Sequence, residues 1–462
     1  MASSVTSVVK EDLTTPADPF DMGAGRINVG NAASVGLVLD ESAARYAELA
    51  GSRTGAVDLN VPSINAPVLP GRLTTTRTVT NVSSTVQKTV VAVDAPPGTT
   101  ITVSPAKFNL DPGLSQTLTI TISTDAPLGE QQFATIRLEP RFGSGASLHL
   151  PVAFIHTQTP VSLSQSCDPD TIARGGSTTC TVEAVNNSPA DVDVTVKTST
   201  SQQLVVTGTS GATPVSARLV EASTTLAGNK PGVPVVAPGA LYGYIPLDAF
   251  GIAPTPIGDE DIVNFNVPAF SFNGRTYSRI GIDSNGYLVV GGGTAEDNNC
   301  CNLPTAASPA PPNNVLAPYW TDLDGTGAPG IFISVLSDGT NNWIVVEHRV
   351  NVFGTTMART FQTWIGINGT QDITFAYAGP MASPGAQPFL VGAENSLGEG
   401  DMSATLPTGD LRVTSSAPQP GGRLTYSVTA KGVARGNATV TSEMTSPTLP
   451  GTTVVTSNVR VN

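Results

Sequence analysis

The string Gly208-Thr209-Ser210-Gly211-Ala212-Thr213-Pro214 sets a hydroxyl among small residues, and taken alone it nominates Ser210 as a nucleophile. A serine attacks only with a base in hydrogen-bond reach and a further group that orients the base. The chain holds three histidines, His149, His156 and His348. His149 and His156 stand near a predicted strand over Leu148 to Ile155, where alternation turns them to opposite faces, and no third ligand stands at a metal spacing. They read as ordinary edge or surface histidines. Without a base in a suitable context, Ser210 reads as a coincidence in a loop rich in Gly, Thr and Ser, since short motifs often match by chance.

Acidic runs offer a different chemistry. They are Asp259-Glu260-Asp261, Asp283-Ser284-Asn285-Gly286, Glu296-Asp297-Asn298-Asn299 and Asp322-Leu323-Asp324-Gly325. Asp322 and Asp324 fall on the same side of an extended loop that ends in a turn, which suits a hard cation such as calcium, with Asp283 as a third candidate ligand. Asp and Gly are also common turn residues, so solvated turns stand as the other reading. The cysteines form two pairs. Cys167 and Cys180 flank the turn Asp168 to Gly176 and are expected to close a hairpin as a disulfide; no basic neighbour favours a reactive thiolate there. Cys300 and Cys301 are adjacent, which is not a zinc spacing. A vicinal disulfide bracing the loop is the first reading and free thiols the second. Trp320, Trp343 and Trp364, with Tyr287 and Phe361, are either core fillers or a platform for sugar or peptide.

Short strands must position all of these groups. Gly 46, Pro 37 and charged residues at 13% over 462 residues, against a usual ~25% charged, point to an all-β chain with many turns. At ~100–200 residues per domain the length allows about three domains. Thr100-Ile101-Thr102-Val103, Leu118 to Ile122, Trp343 to Glu347 and Phe361 to Ile365 alternate apolar and polar as strands do, and Ser284 to Tyr287 reads as a turn between two strands. No apolar run approaches the ~20 residues of a membrane span. The net charge is −13 and the 23 Lys and Arg are scattered, which excludes a nucleic-acid partner, because such a face needs clustered cations to displace counterions.

Pro16 to Asp40, through Pro19, Phe20, Asp21, Gly23, Ala24, Gly25, Asn28, Ala32, Gly36, Leu37 and Asp40, resembles the segment that closes the catalytic domain of subtilisin-like serine peptidases. The resemblance implies proteolysis by Ser/His/Asp acyl transfer, with all three groups upstream of this segment. The chain begins only a few residues before it, so no catalytic residue is expected within the chain, which is predicted inactive alone. The Ser210 string has the subtilase nucleophile form, but it follows the Pro16 segment instead of preceding it and runs on into Arg218 where the family has glycine. No histidine has the family's context either.

Val57 to Thr157 resembles the fibronectin type III-like domain that follows the catalytic domain in many subtilases, through Asp58 to Ile64, Arg77 to Val82, Ala95 to Pro105 and Leu118 to Ser123. Pro160 to Ala212 resembles an immunoglobulin-like repeat of bacterial surface and secreted proteins, and Arg423 to Asn462 resembles its closing strands. The segment between them, with NVPAFSFNGRTYSRIGIDSNGYLVVGG and PNNVLAPYWTDLDGTG, is similar to a β-rich module distantly like the nidogen-type extracellular domain. The expected organisation is therefore a remnant of an α/β subtilase domain at 1–56, a β-sandwich at 57–157, a second, interrupted sandwich at 158–228 and 421–462, and an inserted β-rich module at 229–420.

These resemblances imply the non-catalytic C-terminal portion of a secreted subtilisin-like endopeptidase. Its partners would be the upstream catalytic domain and a protein substrate or cell-surface polymer. The implied site is outside the cell or on its surface, and since Met1 to Leu13 lacks the form of a signal peptide, the export signal is expected upstream. No cofactor is implied apart from calcium. The alternative is a stand-alone extracellular adhesion or glycan/protein-binding module with a wet aromatic groove around Thr294 to Asn314; a third reading is a spacer without a ligand.

Overall fold

The computed structural model describes residues 4–49, 55–141, 146–327 and 329–462, so the start at Met1 lies outside the described residues. The chain forms two compact units, one of Met1–Gly228 with Gly421–Asn462 and the other of Asn229–Pro420.

In the first unit, Ile64–Leu69, Leu148–His156, Gln131–Pro140, Gln87–Asp94 and Lys107–Leu110 form one sheet, in that order. Thr99–Ser104, Ser115–Thr124 and Gly71–Asn81 form the facing layer. Gly71–Asn81 buries every second side chain, the period that places alternate residues on one face of a strand. Leu118, Ile120, Ile122, Ile136, Leu150 and Phe154 fill the space between the layers. Arg77 is the polar exception. Its guanidinium is fully buried and donates to the carbonyls of Val61, Ser63 and Thr76; burial brings its pKa down to about 10. Backbone acceptors make this buried charge tolerable.

A second sandwich in the same unit is built from two distant stretches of chain. Arg423–Gly432 lies between Ser177–Asn186 and Leu204–Ser210, and Gly436–Thr445 lies between Val192–Thr200 and Thr452–Val461. Thr452–Val461 also pairs with Gly71–Asn81 through Gly71↔Thr453, so one sheet runs through both sandwiches. Tyr426, Val428 and Met444 enter one apolar cluster, and Ala430, Ala438, Val440, Val459 and Val461 another. The segment from Asp168 to Gly176 is not a plain turn, because Thr171–Ile172 pairs in parallel with Arg460–Val461.

The Asn229–Pro420 unit contains two sheets. One runs Pro234–Pro238, Leu411–Ser415, Ile373–Tyr377, Ala358–Gly366, Asn342–Val352 and Leu323–Asp324, with Gly330–Ser337 also on Asn342–Val352. The other runs Ile262–Phe272, Arg275–Asp283, Leu288–Val290, Val315–Trp320, Leu390–Glu394 and Gly400–Ser403. Trp343 to Glu347 reads Trp-Ile-Val-Val-Glu, and every residue in it is buried. Ile344 and Val346 join the main cluster, while Trp343 and Val345 join a second one with Leu247 and Trp364. The sheet is covered on both sides, so alternation here separates two cores and not core from water.

Candidate functional site

The four acidic runs, more than sixty residues apart at their extremes, meet at one place in the Asn229–Pro420 unit. Asn285 is the hub. Its Nδ2 donates to Glu260 Oε2 (3.5 Å) and Asn298 Oδ1 (3.3 Å), its Oδ1 accepts from the Leu323 N–H (3.0 Å), and its own N–H donates to Asp283 Oδ1 (2.8 Å). The Ser284 hydroxyl accepts from the Asp261 N–H at 3.2 Å. Asp283, Ser284 and Asn285 are fully buried, which corrects the solvated-turn reading for this run. The turn packs so closely that a Cβ on Gly286, at φ +84°, would lie 2.2 Å from the Tyr319 carbonyl oxygen. Only glycine fits there.

Around the hub the carboxylates act on one another. Burial raises the pKa of Asp259, Glu260 and Asp322; beyond it, Asp259 is raised by Asp324, Glu260 by Asp322 and Asp259, and Asp322 by Asp259. Asp283 is pushed up to about 8, by burial first, and the charge acting on it is that of Glu260. Asp259 Oδ1, Asp283 Oδ2, Asp322 Oδ1 and Gln387 Oε1 are buried without a hydrogen-bond partner. Asp324 turns Oδ1 to the N–H and hydroxyl of Thr326. Cys300 and Cys301 are bonded to each other. Glu260 brings a carboxylate oxygen within 4.8 Å of both sulfurs, and Cys301 Sγ lies 3.9 Å from Asp322 Oδ2.

Buried aromatics hold the third acidic run in place. Tyr287 Oη donates to the Asp297 carbonyl (2.6 Å) and accepts from the Asn299 N–H (2.9 Å), while Trp320 Nε1 donates to the Asn299 carbonyl (2.7 Å). Tyr287, Trp320, Trp343, Trp364 and Phe361 are all buried, so these five aromatics form no wet groove around the Thr294 to Asn314 loop. An open cavity of ≈ 340 Å³ lies elsewhere in this unit, lined by Tyr242, Ile245, Phe250, Val335, Trp343 and Trp364 among others.

Two supports of the acidic site carry no sequence signal. Gln387 reaches Asp322 Oδ2 through Nε2 at 3.4 Å. His348 is buried, places Nε2 3.1 Å from the Asp283 carbonyl oxygen and stacks on Phe361; burial lowers its pKa to about 4. Neither stands in a motif, because contacts that close only in three dimensions leave no spacing to read.

The nucleophile-like string is a strand end. Ser210 closes Leu204–Ser210, is exposed and pairs in register with Ser427. His149 is buried, which corrects the surface reading, and its Nε2 meets the Ala24 carbonyl at 2.7 Å; His156 meets the Ala126 carbonyl. Cys167 and Cys180 are bonded and directly opposite in their strands. Ser210→Ala is therefore expected to leave any fluorophosphonate labelling and peptidase activity of the chain unchanged; stoichiometric labelling lost in that variant would make Ser210 a nucleophile.

Residues 58–154 match the family model for a fibronectin type-III domain, and residues 246–431 match the model described as NIDO related. The chain is 34% identical over 130 residues to subtilisin-like protease SBT3.9 of Arabidopsis thaliana, covering 23% of this chain and 17% of that protein. It is 30% identical over 175 residues to subtilisin-like protease SBT2.1 of the same plant, covering 32% and 21%. The chain thus spans about a fifth of the length of these relatives. Among solved structures, the secreted serine protease VesC from Vibrio cholerae aligns with a TM-score of 0.20 and 10% identity over 43% of this chain and 44% of that one. The first sandwich is a fibronectin type III domain. The chain is all-β and multidomain, and its similarity to relatives of this kind fits the C-terminal region of a subtilase.

Proposed function

We propose that this chain is the accessory, non-catalytic portion of a subtilisin-like endopeptidase, and that Pro16 to Asp40 completes the packing of the catalytic domain while the fibronectin type III domain supports it from below. Peptide bonds would be cut by that domain's Ser/His/Asp groups. The observation that carries this reading is how the segment is held. Leu37–Leu39 pairs antiparallel with Val79 to Asn81, Phe20 meets Phe133 edge-on at 5.5 Å, and Ala24 receives His149. Anchored in this way, the segment still exposes Phe20 (60%), Ile27 (81%) and Val29 (76%). Three exposed large apolar side chains on so short a stretch favour an interaction surface.

The Asn229–Pro420 unit would engage the protein substrate or a cell-surface polymer; the Tyr242 and Phe250 cavity supports a binding role. Two disulfides favour a secreted or surface location, because such bonds persist in oxidising compartments.

The test supplies a subtilisin-like catalytic domain lacking its closing segment in trans. The full chain should associate with it and raise its peptidase activity, and Ile27→Asp with Val29→Asp should abolish both effects. Absence of association, or equal association by the double variant, would remove the proposal.

A further inference from the structure

We propose that the cavity lined by Tyr242, Phe250 and Trp343 receives a lysine or arginine side chain of an extended protein segment, which pairs as an added strand with the open edge of Gly330–Ser337 and sets its cation against Asp338. The proposal rests on the binding role given to the Asn229–Pro420 unit and names the ligand that this role requires.

Three of the side chains around this ≈ 340 Å³ cavity, Tyr242, Phe250 and Val335, are large, mainly apolar and exposed. Such side chains gathered at a hollow mark a place where a partner binds. Trp343 and Trp364 also line it and are buried. Tyr242 meets Trp343 edge-on at 5.3 Å and lies tilted against Trp364 at 5.9 Å. Packing against two buried rings holds the Tyr242 ring in place, so little order has to be imposed on it when a ligand arrives.

The charged group that lines this cavity is an anion without a cation. Asp338 Oδ1 accepts the N–H of Thr340 (2.8 Å) and of Asn341 (2.7 Å), and Oδ2 accepts the Tyr242 hydroxyl (2.7 Å). These donors, the Asn341 N–H first, bring its pKa down to about 2, which keeps it charged at neutral pH. The ion pairs of the unit join Arg349 to Asp248 and Glu347, and Arg412 to Asp372, so among the described residues Asp338 has no cation of its own. A neutral sugar would leave that charge unanswered and would need an open ring face to stack on, whereas both tryptophans are covered. A basic side chain fits better. Its apolar stem can lie along Tyr242 and Phe250 while its charge meets Oδ2, and the aromatic ring attracts the cation further.

The strand beside the cavity supplies a backbone half to the site. Gly330–Ser337 pairs on one side with Asn342–Val352. On its other side the Ile331 carbonyl accepts the Thr255 N–H at 2.7 Å, and alternation turns the N–H and C=O of Ile333, Val335 and Ser337 the same way. Among the described residues no backbone group bonds to these three on that side. An extended segment laid there would pair with them, as in strand addition to a sheet edge. Because side chains alternate along a strand, only every second residue of the ligand would face the cavity.

The experiment uses the full chain and reads tryptophan fluorescence together with calorimetry, since two of the three tryptophans line the cavity. The probe is a short blocked peptide with arginine between valines and threonines. One analogue carries norleucine in place of arginine, and two others carry N-methyl groups on every second backbone amide, in either register. The arginine peptide should bind saturably and more weakly at high salt, the norleucine peptide about fivefold more weakly, and one of the N-methylated peptides not at all. Asp338→Asn keeps an acceptor for both N–H groups and should fold; it should bring the arginine peptide level with the norleucine one. Tyr242→Ala changes an exposed side chain and should weaken both peptides. The proposal is overturned by no saturable binding of the arginine peptide, by equal affinity for arginine and norleucine in the parent chain, or by undiminished binding of both N-methylated peptides. Binding of cellohexaose that Tyr242→Ala abolishes, with no peptide binding, would overturn the assigned ligand and leave the binding role of the unit standing. Binding of unfolded casein that neither variant alters would do the same for the assigned site.

Discussion

A chain ending at residue 420 is expected to lose the second sandwich altogether, with no cooperative unfolding transition left for residues 158–228. The reason lies in where the last forty-odd residues sit. Arg423–Gly432 and Gly436–Thr445 are interior strands of the two facing sheets, so their removal takes away partners from Ser177–Asn186, Leu204–Ser210 and Val192–Thr200 together. Five of the eight buried residues in one apolar cluster come from this stretch: Ala430, Ala438, Val440, Val459 and Val461. Tyr426, Val428 and Met444 are lost from the neighbouring cluster. Each large apolar side chain contributes roughly 1.5–3 kcal/mol when fully buried, so the loss is comparable to the whole ~5–15 kcal/mol by which a domain is stable. The hydroxyl of Thr198, which is 2.6 Å from both Tyr426 Oη and Ser442 Oγ, would also lose both partners. Limited proteolysis with amide hydrogen exchange reads the result directly. Protected amides in Ser177–Asn186 of the shortened chain would show that the stretch is dispensable.

The pH response of the Asn229–Pro420 unit should be governed in part by Glu394. The side chain is 2% exposed, one carboxylate oxygen accepts the Ser308 N–H at 3.2 Å, and burial pushes its pKa up to about 7 from 4.5. A carboxyl whose folded pKa is raised holds its proton more tightly in the folded chain. Its stabilising contribution is therefore complete below pH 4.5 and is lost as the pH rises through about 7. At 1.36 kcal/mol per pKa unit the swing is about 3 kcal/mol. Glu394→Gln keeps an acceptor for Ser308 and removes the proton equilibrium. The variant should be more stable than the parent by about 3 kcal/mol more at about pH 8 than at about pH 4.5. Parallel stability curves for parent and variant across that range would show that Glu394 ionises freely in the folded unit.

Local sequence determined the parts of this protein that depend on near neighbours. Strand alternation in Leu118 to Ile122 placed those side chains in a sandwich core, and the motif in Pro16 to Asp40 together with the words of Val57 to Thr157 led to a subtilase-associated, all-β chain. Cys167 and Cys180 could be paired because a strand-turn-strand of thirteen residues brings its ends opposite each other. Other features are set by contacts between distant segments. Which faces of Trp343 to Glu347 meet water depended on a second layer of chain, including Leu247, packing over the sheet. His149 looked like a surface group until the Ala24 segment folded over it. Asp283, Asp322 and Asp324 could be nominated one by one, since Asp-rich turns are visible in a string. Their convergence with Asp259 and Glu260, the hub role of Asn285, and the contributions of Gln387 and His348 were decided only by the tertiary structure. A loop's neighbours across a sheet edge are fixed by strand order and register, and these come from the balance of long-range packing over the whole unit, which no local spacing encodes.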